Sequence, residues 1–104
     1  MGDWHYRKWS NHMIECWRAY ALQINASTLN VNTYIRYPFD FNYVPIRIVG
    51  TVAGGYQNYK AWCLPDHDSS HPNNQYIRIA FYNGYTSAVV INASMYCFGY
   101  ARNN

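Results

Sequence analysis

The sequence predicts an all-β domain, a small antiparallel β-sandwich or jelly-roll-like knob. Three observations predict it. Helix periodicity is nearly absent, while period-two alternation is common. Two alternating runs in NQYIRIAFYNGYTSAVVINA flank Asn83-Gly84, the dipeptide that a two-residue type I′ turn prefers because both central residues need positive φ. Short β-prone runs recur between Gly, Pro and Asn clusters, giving six or seven strands. At 104 residues the chain is one domain, spanning 1–104, with no internal repeat and no low-complexity tract.

The elements follow in order. Residues 3–9 and 13–23 form an opening hairpin. With Asn11-His12 as a two-residue turn, Lys8 lies across from Glu15 and Trp9 across from Ile14. Alternation puts Trp4, Tyr6 and Lys8 on one face and His5, Arg7 and Trp9 on the other. INASTLNVNTYIR is polar and β-prone, a loop or weak strand. In YPFDFNYVP, Pro38 and Pro45 bracket aromatics, so it reads as an edge or crossover segment. IRIVGTVAGG is a strand closed by Gly54-Gly55, and NYKAWCLP is another, stopped by Pro65. DHDSSHPNNQ is a polar loop of turn formers. The Asn83-Gly84 turn places Tyr82 opposite Tyr85. It sets Ile77, Ile79 and Phe81 on one face with Val90, Ala88 and Thr86, and Tyr76, Arg78 and Ala80 on the other with Ile91, Val89 and Ser87. SMYCFGYARNN is the last strand.

Composition narrows the function. The chain has four Phe, four Trp and twelve Tyr, yet only 12% charged residues, about half the usual share. Tyr and Trp are enriched at interfaces, so much of the outer surface is expected to be covered. The net charge of +3 comes from scattered basic residues rather than a stripe, which argues against nucleic acid. Cys16, Cys63 and Cys97 are odd in number and lack a CxxC spacing; at most one bridge can form, and three buried thiols are expected. No stretch reads as a signal peptide or membrane span.

Catalysis is poorly supported. Of Asp3, Glu15, Asp40, Asp66 and Asp68, only the last two are neighbours, and they share one loop. A nucleophilic Cys16 or Cys63 needs a base such as His5 or His12 and an orienting third group, which nothing indicates. His67, Asp68 and His71 are metal-capable, but in a Ser/Asp/Pro loop their spacing reads as local side-chain-to-backbone bonding; no metal and no cofactor are expected. The candidate ligand residues are aromatics beside polar loops. They are Tyr56, Asn58, Tyr59 and Trp62, then Asp66, His67, Asp68, His71 and Asn74, then Tyr82, Asn83 and Tyr85. A sugar presents one C–H face and a rim of hydroxyls, which rings and planar amides or carboxylates can match. The competing reading is that these rings fill the core or a subunit contact.

WHYRKWSNHMIECW resembles a pattern near the C-termini of bacteriophage tail-fibre and minor structural proteins, W-x-Y-R-K-W-x-x-G-x-A-E-C-W. Trp4, Tyr6, Arg7, Lys8, Trp9, Glu15, Cys16 and Trp17 fall in step without a gap, and Tyr37-Pro38-Phe39 matches a later YPF element. His12 stands where that family has Gly, and Ile14 where it has Ala. The first is a turn position that calls for positive φ, which His tolerates better than most residues. The likeness covers about the first seventeen residues; beyond them only the style matches. It implies the C-terminal tip of a longer fibre protein, assembled as a homotrimer on the virion and binding a host cell-surface glycan or protein, without catalysis or membrane insertion. The alternative is a purely structural trimerisation or capping module.

Overall fold

A computed structural model of the chain describes residues 3–52 and 60–102. Seven strands and no helix occur among the described residues: β1 (His5–Lys8), β2 (Met13–Ile24), β3 (Thr28–Arg36), β4 (Ile46–Val52), β5 (Ala61–Asp66), β6 (Tyr76–Asn83) and β7 (Val89–Tyr100). They form two antiparallel sheets, one ordered β1-β2-β7-β4 and the other β3-β6-β5. Period-two alternation along each strand sets their inner faces. From the four-stranded sheet come Ile14, Cys16, Ile24, Val89, Ile91, Ala93, Met95 and Cys97; from the three-stranded sheet come Ile35, Ala61, Cys63, Ile77, Ile79 and Phe81. These meet in one buried cluster, capped at one end by Trp4, Tyr37 and Phe41. Each large apolar side chain buried there contributes roughly 1.5–3 kcal/mol.

The opening hairpin forms, but one residue out of the expected register. Arg7 pairs with Glu15 and Lys8 with Ile14. The loop has three residues, not two. The amide of Trp9 donates to Met13 O (2.8 Å) and that of His12 to Trp9 O (3.1 Å). His12 closes the loop with φ 70°, the left-handed conformation that a three-residue hairpin needs at its last position. The face assignment of β1 survives. Tyr6 packs edge-on against Phe39 at 4.9 Å, and the Lys8 ammonium stands 4.6 Å above the same ring. The ion pair passes to Arg7, whose Nε lies 3.1 Å from Glu15 Oε1.

Residues 28–36, read as a loop or weak strand, form a full strand with a bulge between Asn30 and Thr33. Asn30 Oδ1 fills the bulge, accepting from Asn32 N (3.0 Å) and Thr33 Oγ1 (3.2 Å). The Pro-flanked aromatic segment is a crossover between the sheets, as expected. It is tied down by Tyr37 N to Gln75 O (2.8 Å), Phe41 N to Asn74 O (3.0 Å) and the indole N–H of Trp4 to Arg36 O (2.8 Å). Pro65 does not end its strand: β5 is an edge and runs through to Asp66. The Gly54-Gly55 closure lies outside the described residues.

The larger correction concerns Asn83-Gly84. β6 and β7 do not pair; they belong to different sheets, and residues 84–88 carry the chain between them. Two interactions override the hairpin. The Asn83 side chain is fully buried, and its Nδ2 reaches Ile24 O (3.1 Å), Asn25 O (3.2 Å) and Ser87 O (2.8 Å). Its Oδ1 accepts from Tyr85 N (2.9 Å). One amide thus links the β2–β3 and β6–β7 passages between the sheets. The Gly84 amide donates to Lys60 O at 2.6 Å. A Cβ on Gly84 would meet that oxygen at 2.9 Å, so glycine serves close backbone approach and not positive φ. Tyr82 and Tyr85 are therefore not cross-strand partners, and Val89 and Ile91 point inward beside Ala93 while Val90 and Ala88 are exposed.

Candidate functional site

The outer face of β3-β6-β5 is laid out by register. Trp62 pairs with Tyr82, which pairs on its other side with Leu29; next come Leu64 and Ala80, then Asp66, Arg78 and Tyr34, then Tyr76 and Arg36. Directly opposed side chains on one face have Cβ atoms about 4.5–5.5 Å apart. The Trp62 and Tyr82 rings accordingly lie 5.3 Å apart with a 32° tilt. With Leu29 (55% exposed) and Leu64 (42%), they form an apolar plate open to solvent.

A polar cluster adjoins the plate. The Arg78 guanidinium, only 13% exposed, donates from Nε to Val31 O (2.6 Å) and lies 2.9 Å from Asp68 Oδ2 and 3.6 Å from Asp66 Oδ2. The Tyr34 hydroxyl donates to Asp68 Oδ2 at 2.5 Å and lies 3.1 Å from Ser70 Oγ. Asp68 Oδ1 accepts from Ser70 N (3.0 Å) and Ser70 Oγ (2.7 Å), the local turn that a D-x-S sequence favours. The hydroxyls of Tyr34 and Ser70, then the Arg78 charge, hold the Asp68 carboxyl down to about 2. His71 stacks on Tyr34 (3.8 Å, 23°) and meets Tyr76 edge-on (4.9 Å); Pro72 O then accepts from Gln75 N and Tyr76 N, returning the chain to β6. Two carboxylates, one guanidinium and three rings are thereby fixed before any ligand arrives.

Of the residues expected from sequence, Trp62, Asp66, Asp68, His71 and Tyr82 come together on this face. Four others do not. Asn83 is buried, because the passages between the sheets consume both ends of its amide. Asn74 straps the crossover, donating from Nδ2 to Phe41 O (3.0 Å). Tyr85 packs against the core, with the Lys60 ammonium 5.5 Å above its ring. His67 is exposed and brings its backbone amide to Asp66 Oδ1 (2.8 Å). Tyr56, Asn58 and Tyr59 lie outside the described residues. Sequence reasoning missed Leu29, Tyr34, Ser70 and Arg78. Tyr34 and Arg78 carry an alternation signal, but their meeting depends on the β3–β6 pairing, which no local pattern encodes.

Two features of the cluster bear on catalysis. Asp68 stays ionised and is no proton donor near neutral pH. The Ser70 hydroxyl donates to Asp68, with His71 Nδ1 at 3.0 Å on its far side, so the base does not stand between nucleophile and acid as acyl transfer requires. Among the described residues no three His, Cys, Asp or Glu side chains converge as a metal site.

The outer face of the four-stranded sheet differs. A groove of about 700 Å³ is lined by His5, Arg7, Glu15, Trp17, Ile48 and Tyr96 among others. Glu15 is buried between Arg7 and Tyr96, whose hydroxyl donates to Oε2 and is thereby held above its usual pKa. His5 stacks on Trp17 at 5.9 Å. The face continues through exposed Ile46, Val44, Tyr43 and Tyr100. Comparison with family models, with curated proteins and with solved structures finds no match to this chain in any of the three.

Proposed function

We propose that the chain is the tip domain of a bacteriophage tail fibre, a homotrimeric β-sandwich knob that binds a glycan on the host bacterial surface and catalyses nothing. One observation carries the ligand reading: an open Trp62–Tyr82 plate stands beside carboxylates already oriented by Arg78, Tyr34 and Ser70. A pyranose lays its C–H face on the rings and offers hydroxyls to Asp66, which keeps lone pairs to spare, while Asp68 is fully engaged by Tyr34, Ser70 and Arg78 and holds that guanidinium in place. Preorganisation lowers the entropy lost on binding. The virion setting rests on the likeness of residues 4–17 to fibre C-termini. Three copies add weak single-site contacts through avidity.

A second reading, a capping or trimerisation module without a ligand, is favoured by the broad apolar face of the four-stranded sheet, which suits a second subunit better than a sugar. One experiment separates the two. The trimer and its Trp62→Ala/Tyr82→Ala variant are compared on a glycan array and on a panel of bacterial cells. Binding lost in the variant with assembly intact supports the ligand reading. Equal binding by both proteins, or none by either, overturns it in favour of the capping module.

A further inference from the structure

The inner face of the four-stranded sheet contains a feature that the ligand reading does not use. Cys16 of β2 and Cys97 of β7 are direct cross-strand partners, in the midst of twelve consecutive antiparallel pairs. Both are fully buried, and both are thiols. Directly opposed residues in an antiparallel pair have Cα atoms about 4.5–5.5 Å apart, inside the roughly 4.4–6.8 Å window of disulfides. Their Cβ atoms start about 4.5–5.5 Å apart against the 3.5–4.5 Å of a bridge, so closure draws the strands together by about an ångström. Cys63 is excluded from the pair by its place on the other sheet, where its Sγ donates to Gly50 O at 3.9 Å.

We infer that Cys16 and Cys97 form a specific redox site, closing to a cross-strand disulfide when the chain meets a disulfide oxidant. With oxidised glutathione the chemistry balances as follows. The Cys16 thiolate attacks one glutathione sulfur, breaking the glutathione S–S bond and releasing one glutathione thiolate. The Cys97 thiolate then attacks Cys16 Sγ in the mixed disulfide and releases the second. Two protein thiols are oxidised, one glutathione disulfide is reduced, and the two protons end on the glutathione thiols. The adjoining Cys97 thiol and then burial hold the Cys16 thiol far above the usual value, which suppresses the attacking thiolate while the fold is closed. Oxidation is therefore slow on the folded protein and fast during folding. The bridge ties residue 16 to residue 97, across most of the chain, and so restricts the unfolded state strongly. The site stands independently of the proposed ligand.

The test is to refold the 104-residue chain with and without oxidised glutathione, then denature, alkylate and map peptides by mass spectrometry. The expected product has lost two hydrogens, joins the peptides holding Cys16 and Cys97, and leaves Cys63 alkylated. Its guanidinium midpoint is expected to rise by roughly 1 M and to fall back on reduction. Cys63→Ser should still form the bridge. Three alkylated cysteines, stable glutathione adducts, or any link through Cys63 would each overturn the assignment.

Discussion

The two sheets carry opposite surfaces on the same alternating pattern. The three-stranded sheet shows rings flanked by fixed charges: Trp62 and Tyr82, then Arg78 between Asp66 and Asp68. The four-stranded sheet shows an ion pair among rings, exposed Arg7 with buried Glu15, and then apolar rows running to the edge through Ile46, Ile48 and Tyr100. The difference teaches how each can be used. Charges already satisfied by one another at the border of a small ring plate orient a polar ligand at little further entropic loss. Apolar rows without such a border gain most from exclusion of water by another large surface.

Breaking the apolar face should have the largest effect. Ile46→Glu with Ile48→Glu places two charges at positions more than half exposed in the single chain. The subunit should keep its fold, since exposed substitutions usually change stability by no more than about 0.5 kcal/mol. Under the proposed trimer, sedimentation should shift to monomer; an unchanged sedimentation coefficient places the subunit contact elsewhere. Breaking the ring plate comes next. Trp62→Ala and Tyr82→Ala should each weaken glycan binding about tenfold per site, for roughly 1.5 kcal/mol per ring, with sedimentation unchanged.

The third perturbation acts on what joins the two sheets. Asn83→Ala leaves Ile24 O, Asn25 O, Ser87 O and Tyr85 N without the buried amide that joins them. A loss of about 2–3 kcal/mol is expected in guanidinium unfolding, far above an ordinary surface change. Gly84→Ala should also destabilise, because the Cβ meets the backbone oxygen of Lys60.

The smallest effect is one of pH. Asp68 is lowered in the fold from 3.8 to about 2, so it binds protons more weakly folded than unfolded. Its contribution is therefore present above the unfolded value and disappears as pH falls from about 4 towards 2. Asp68→Asn should flatten the melting-temperature curve over that window and leave its shape above pH 5 unchanged. A variant curve that parallels the wild type down to pH 2 would show that the carboxylate is not held as described.

Much of this was legible in advance. Alternation placed Ile77, Ile79 and Phe81 on one face, and the polar 66–75 stretch read as a loop between strands. Trp62, Asp66, Asp68, His71 and Tyr82 were legible as aromatic and polar groups near loops. Their convergence was not. Asn83 shows why: the same Asn-Gly between alternating runs serves a hairpin turn and a passage between two sheets equally well. The choice depended on whether distant carbonyls at Ile24 and Asn25 would come within reach of one amide.

By itself, then, the sequence determined the all-β class, the shared face of Ile77, Ile79 and Phe81, the positive φ of His12 and the burial of three cysteines. These follow from a two-residue period and from φ preferences, both local. Only the tertiary structure decided the strand order, the one-residue register of the opening hairpin, the Cys16–Cys97 opposition, and the union of Tyr34, Arg78 and Asp68. Those depend on which strands pair, and pairing is a contest among long-range contacts that no short stretch of sequence records.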